Sequence, residues 1–214
     1  MENYTNLLIV LLLFFLVFGL AEFLYKRKLP VYVTRKVVHM GGGVVATLLP
    51  FFVKLETVII LGVGFFLLLL FSKRKKLLNS IHATEDYSTG ALLFAPSLMI
   101  TALIFWPKNI LIFQGATLIL GLADGIAGIV GAKYGRKRYK ITGSKTIEGS
   151  VCFFFVTVFV ICGILYINGG LTFDKSLVVL GSSLILTIVE ALFGNGWDNL
   201  FIPIISGTIL YLIL

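Results

Sequence analysis

The sequence predicts an all-α, polytopic bundle of about eight membrane-spanning helices. Three observations carry that prediction. The chain of 214 residues is 58% hydrophobic with a mean hydropathy of +1.04. Only 13% of its residues are charged, where a soluble domain carries roughly 25%. Its apolar runs reach the ~20 residues that cover a bilayer core, and they are continuous, without the period-two alternation of barrel strands.

The spans are expected at 5–25, 34–53, 56–71, 87–106, 110–132, 147–167, 176–193 and 199–214. The first run, Leu7–Tyr25, has no basic residue before it and no small-residue cleavage site after it. It reads as a retained helix, not a signal peptide. The last two spans are short and the eighth carries Pro203, so seven spans with a re-entrant end is the alternative count. Cys152 and Cys162 share the sixth span but fall on different faces at about 100° per residue, which disfavours a disulfide. No repeat, low-complexity tract or long linker interrupts the chain, and 1–214 reads as one transmembrane domain.

The net charge of +8 raises nucleic acid as a partner, but the distribution of charge excludes it. Alternate loops collect Lys26, Arg27, Lys28, Arg35 and Lys36, then Lys73, Arg74, Lys75 and Lys76, then Lys133, Arg136, Lys137, Arg138, Lys140 and Lys145. The other side has only Lys54, Lys108 and Lys175. This is the positive-inside pattern. It places both termini on the non-cytoplasmic side of the cell membrane, or of the endoplasmic reticulum membrane in a eukaryote. Some of these bases serve orientation and contact with anionic lipid alone.

The acids sort the same way. Glu22, Glu85, Asp86, Asp124, Glu148, Glu190 and Asp198 share the cytoplasmic half with the bases, while Glu2, Glu56 and Asp174 do not. Orientation needs no acids, so the surplus implies a polar site open to the cytoplasm. Asp124 lies within the fifth span, where an ionisable group is costly and faces the bundle interior or a wet cavity. Gly121, Gly125, Gly128 and Ala132 recur around it on one face, which lets a helix backbone or a ligand approach closely. The basic loop then ends in Lys145-Thr146 at the start of the sixth span. A helix start offers unpaired N–H groups and a positive dipole end to phosphate. "GSKT" is not a Walker P-loop, because Ser144 separates the glycine from the lysine and a membrane helix precedes it. Arg35 and His39 are four apart and share a face of the second span. Glu85 and Asp86 suit a helix N-terminus, and Asp198 a helix cap. Glu190 lies inside its helix and has no such explanation.

Bases beside carboxylates at a membrane surface fit phosphoryl or nucleotidyl transfer. The bases neutralise phosphate oxygens, and the carboxylates hold Mg²⁺ or take a proton. Magnesium takes one or two carboxylates together with substrate phosphates and water. One substrate would be a polyanionic nucleotide from the cytoplasm, the other a lipid arriving laterally.

Three segments carry a family resemblance. They are "RKVVHMGGG", "ADGIAGIVGAKYGRKRYKITGSKTIEGS" and "VEALFGNGWDNLFIP", with "TEDYSTGALLFA" a weaker fourth. The sequence resembles the CTP-dependent lipid kinases, the family of dolichol kinase, phytol kinase and CTP-dependent diacylglycerol kinase. Ala123 stands where the family usually has Gly before the central Asp. The resemblance implies transfer of the γ-phosphate of CTP, with Mg²⁺ or another divalent metal, to an isoprenoid alcohol in the membrane. It implies nucleotide and metal roles for Asp124, Gly125, Gly128, Lys145, Thr146, Glu148 and Gly149. Arg35, Lys36, His39, Glu190, Asp198 and Asn199 would lie near phosphate or lipid head group. Asp124 and one of Glu148, Glu190 or Asp198 would hold the metal, and Lys145 with Lys133 the triphosphate. His39 or a carboxylate would accept the alcohol proton. CDP-lipid synthases have a similar central segment and are the runner-up. Their acid-rich late signature is absent, since "GNGWDNLFIP" stands in its place. A non-enzymatic transporter or membrane subunit is the third reading, and the one-sided clustering of polar residues opposes it.

Overall fold

A computed structural model describes residues 4–75, 90–139, 145–170 and 172–214. Lys76, Glu85, Asp86 and Lys140 lie outside them, as does the expected start of the fourth span. The described residues are helical almost throughout. In chain order the helices are α1 (Tyr4–Lys26), α2 (Val31–Phe52), α3 (Leu55–Lys75), α4 (Gly90–Phe105), α5 (Ile110–Tyr134), α6 (Ile147–Ile167), α7 (Ser176–Leu192) and α8 (Asp198–Ile213).

Five of them, α1, α3, α5, α6 and the helical stretch Phe173–Leu192 that contains α7, are long and apolar enough to cross a membrane. Their outward faces carry large bare side chains, among them Phe15 at 72% exposure and Phe159 at 79%. Soluble monomers do not expose apolar surface on this scale, and lipid is the solvent that suits it. The eighth helix runs through Pro203 and continues to Ile213. Cys152 and Cys162 are both free, as their spacing predicts.

Local signals fix several boundaries. The Asn109 side chain accepts from the Leu111 N–H at 2.9 Å and caps α5. Thr146 caps α6 in the same way, through the Gly149 N–H at 3.2 Å. The third helix runs four residues beyond its predicted end, to Lys75. Its last turn holds Lys73, Arg74 and Lys75, cations that complement the negative C-terminal end of the helix dipole. Between α7 and α8, Asn195 and Gly196 adopt φ values of 55° and 89°. Glycine meets that left-handed requirement without steric cost.

The innermost helix is α5, with 72% of its span buried, against 17% for α1. It packs against α2, α4, α6 and α8. One core, built on Ile119, Leu120, Phe153, Ile161, Ile202 and Leu210, joins α5, α6 and α8. A second joins α1–α4 to the start of α5 through Phe14, Val45, Leu49, Val58, Leu98 and Phe113.

The fifth helix departs from the regular α geometry that its sequence predicts. Ile119–Asp124 form a π-helical segment, a feature that often marks functional sites. The small-residue face largely keeps its expected role. Gly121 meets the backbone of Gly43, Gly125 lies under Met40, and Gly128 lies under Lys36, so all three turn toward α2. Ala132 is exposed and does not continue that face. A Cβ on Gly43 would sit 2.5 Å from the Gly121 Cα. Substituting Gly43→Val should therefore force the helices apart, costing about 1–3 kcal/mol as overpacking does. The expected readout is a lowered thermal unfolding midpoint in detergent; an unchanged midpoint contradicts the close α2–α5 contact.

Candidate active site

Groups from α2 and from the segment before α6 converge on Asp124, which is 1% exposed at the end of the π segment, and α7 and α8 join them through Lys145. From α2, Lys36 Nζ donates to Asp124 Oδ2 at 2.6 Å and to the Asp124 carbonyl at 3.2 Å. Gly128 has no side chain to obstruct the Lys36 stem. One turn on, His39 Nε2 lies 2.9 Å from the Leu120 carbonyl and 3.2 Å from Asp124 Oδ2. Both neighbours accept, so Nε2 carries a proton, and Nδ1 is where the ring can hold a lone pair.

Lys145 reaches in from the segment before α6. Its Nζ lies 2.6 Å from Asp198 Oδ2, 2.7 Å from Glu190 Oε1 and 3.5 Å from Asp124 Oδ1. Burial works against this ammonium. Asp124, Asp198 and Glu190 together outweigh it and hold its pKa well above the usual lysine value. The second oxygen of Glu190 accepts from Ser150 Oγ at 2.9 Å. Asn199, beside Asp198, donates its side-chain N–H to the Gly90 carbonyl at 2.7 Å, which ties α8 to α4.

Buried ion pairs recover their desolvation cost only when geometry and further hydrogen bonds are good. Here three carboxylates face two ammonium groups and a histidine N–H, with Ser150 on a remaining lone pair. Such an arrangement is costly for packing alone and marks a site where charge is used.

The basic loop is held back on itself by an antiparallel bridge between Arg138 and Thr146. Tyr139 N–H donates to the Lys145 carbonyl at 3.0 Å, and Ile147 N–H to the Lys137 carbonyl at 3.1 Å. This pairing fixes where Lys145 leaves the loop.

The structure brings together Lys36, His39, Asp124, Lys145, Glu190 and Asp198, with Arg35, Gly128 and Asn199 beside them on the same cavity wall. Five expected residues lie elsewhere. Glu148 turns to the backbone of Arg136 and Lys137 in the basic loop, and its buried Oε2 has no hydrogen-bond partner among the described residues. Lys133 is exposed and lies over the Tyr134 ring at 5.1 Å. Thr146 acts as the α6 cap, and Gly149 permits close contact with the Ala127 carbonyl. Gly125 likewise serves packing, against Met40. Sequence reasoning missed Ser150 and the Leu120 carbonyl. Ser150 lies one turn after Thr146, a spacing that places it inward on α6. The carbonyl has no sequence signal.

The ionic cluster forms one end of a cavity of ≈ 750 Å³. At that end stand Arg35, Lys36, His39, Asp124, Arg138, Lys145 and Asp198. Gly128, Asn195, Gly196 and Asn199 also line it, and the rest of its wall is largely apolar, drawn from α1–α4. Among the described residues no three acids or histidines are arranged to hold a metal ion. The three carboxylates instead surround the Lys145 ammonium. Carboxylate oxygens are the donor type that a hard divalent cation such as magnesium takes.

Fold and site together define a helical membrane protein with a buried ionic centre at the head of an apolar cavity. The chain is 31% identical over 195 residues to a phytol kinase of Synechocystis, an alignment covering 88% of this chain and 83% of that protein. It is 40% identical over 91 residues to a dolichol kinase of Saccharomyces cerevisiae, covering 39% of this chain and 16% of that one. The chain belongs to the family of phytol and dolichol kinases. No protein-family model matches the chain, and no solved structure does.

Proposed function

We propose that this protein is a kinase that moves the γ-phosphoryl group of CTP onto a membrane isoprenoid alcohol, at the cytoplasmic face. The observation that carries the reading is the placement of the Lys36–Asp124–Lys145–Glu190–Asp198 cluster at the head of an apolar cavity. An alcohol with a hydrocarbon tail fits that division of polarity. Membership of the family supports the same reading, and the crowding of bases on one side supports the cytoplasmic orientation.

In this reading the tail enters the apolar part and the hydroxyl stops near Asp124 and His39. Arg35, Lys36 and Lys145 face the triphosphate and neutralise charge on its oxygens as the transfer proceeds. The alcohol oxygen bonds to the γ-phosphorus while the bond from that phosphorus to the bridging oxygen breaks. CDP leaves with the bond's electrons, and the hydroxyl proton passes to His39, whose Nδ1 offers the lone pair. Asp124, Glu190 and Asp198 would hold Mg²⁺, which when bound draws charge from the phosphate oxygens.

The test is purified protein in detergent with labelled CTP or ATP, Mg²⁺ and a panel of lipid alcohols. The expected products are a lipid monophosphate and CDP, with CTP preferred. A CDP-lipid with pyrophosphate from a lipid phosphate would instead indicate a synthase. No product with any donor or acceptor would leave the non-enzymatic reading standing.

A further inference from the structure

The apolar part of the cavity has a measurable depth and a floor. On α2 the residues facing it include His39, Gly42 and Leu49. From His39 to Leu49 is ten residues, or about 15 Å at 1.5 Å of rise per residue. The facing stretch of α3, from Val58 to Leu69, runs to about the same length. That depth is half of the ~30 Å hydrocarbon core, and therefore about what a single lipid tail fills in one leaflet. The volume of ≈ 750 Å³ lies among the cavities of roughly 300–1,000 Å³ that take one compact ligand.

Leu49 and Val58 close the deep end. They are 2% and 1% exposed, and their cluster continues behind them as Val53, Ala102 and Phe113, all buried. Among the described residues, then, the cavity carries its charged groups at one end and is stopped by packed side chains at the other. On one flank Phe14 and Phe18 of α1 close against Phe65 of α3, with ring centroids 4.5 and 5.9 Å apart.

We infer that Leu49 and Val58 set an upper limit on the length of the acceptor chain, and that the acceptor is a short isoprenoid alcohol of about fifteen to twenty carbons. A polyprenol or dolichol of fifty or more carbons is severalfold longer than the cavity is deep and would have to leave it again through packed helices. The inference rests on the alcohol-kinase reading and goes further, since that reading alone admits any isoprenoid length.

The experiment measures phosphorylation of farnesol, geranylgeraniol, phytol and a fifty-five-carbon polyprenol, each in the same detergent. Three proteins are compared: the unaltered chain, Leu49→Ala and Val58→Phe. The unaltered protein should prefer the fifteen- and twenty-carbon alcohols to the polyprenol by at least ~10-fold, a difference of about 1.4 kcal/mol in transition-state binding. Leu49→Ala deepens the floor and should raise the rate ratio of longer to shorter alcohols. Val58→Phe raises the floor and should lower the twenty-to-fifteen-carbon ratio while farnesol turnover persists, which also reports that the variant is folded. Polyprenol turnover equal to that of geranylgeraniol in the unaltered protein overturns the limit. So do length profiles that neither variant shifts. If no alcohol of any length is phosphorylated, the kinase reading falls and the length limit falls with it.

Discussion

Asp124→Asn is expected to reduce phosphoryl transfer by at least ~10²-fold, the scale on which removing one preorganised charge acts. The substitution preserves shape and removes the charge alone. Asp124 is the residue on which Lys36 and His39 from α2 and Lys145 from before α6 converge. Without the carboxylate charge, Lys36 and Lys145 lose their shared counter-ion, and one neutral amide oxygen is left to accept where two charged oxygens did. Some stability will be lost as well, because breaking a buried pair from one side costs up to about 3–5 kcal/mol. The informative measurement is therefore initial rate at saturating substrates, alongside an unfolding curve that verifies a native population. A folded Asp124→Asn protein with near-normal turnover removes Asp124 from the site.

Lys145→Ala is expected to lose a comparable factor, ~10² or more, through the opposite imbalance. Its ammonium lies within 3.5 Å of all three of Asp124, Glu190 and Asp198. Truncation leaves three buried carboxylates facing one another. Their mutual repulsion should lower stability, and added divalent cation should restore part of it by supplying the missing charge. It should restore little of the rate, because the cation does not replace the ammonium that faces the triphosphate. The KM for nucleotide should rise more than the KM for alcohol. Equal stability loss with unchanged nucleotide kinetics would make Lys145 a structural counter-charge only.

The helices were legible because hydropathy is a local property of the chain. Runs such as Leu7–Tyr25 need no tertiary context, and caps such as Thr146 follow from side chains a few residues away. The site was legible in its membership but less so in its arrangement. Asp124 stood out because a carboxylate in an apolar span is costly wherever it lies. Glu148 stood beside Lys145 in sequence, yet its side chain turns to the basic loop, and the partners of Lys145 come from 45 and 53 residues further along. No local pattern encodes those distances. Gly125 and Gly128 were identified as small residues on one face, but spacing alone does not separate a helix from a ligand as their neighbour. The cavity was the least legible feature. Val58, Leu61 and Phe65 read identically whether they face lipid, a packed core or a ligand's tail.

The π segment of α5 has a consequence for how this chain can vary. Gly121 lies within the segment Ile119–Asp124 and Gly125 and Gly128 follow it, all against α2. A π turn takes one more residue than an α turn, so the segment accommodates an extra residue without ending the helix. The π turn can absorb a deletion within 119–124 by reverting to α geometry, whereas deleting a single residue from the regular turn before it, such as Leu118, would turn everything downstream by about 100° while leaving an apolar helix of adequate length. Gly128 would swing from beneath Lys36, and Asp124 would swing from His39 and Lys145. Such a deletion variant should still insert as a membrane helix and yet have no ionic centre. In the regular turn before the π segment the count of residues, more than their hydrophobicity, is what the chain has to preserve.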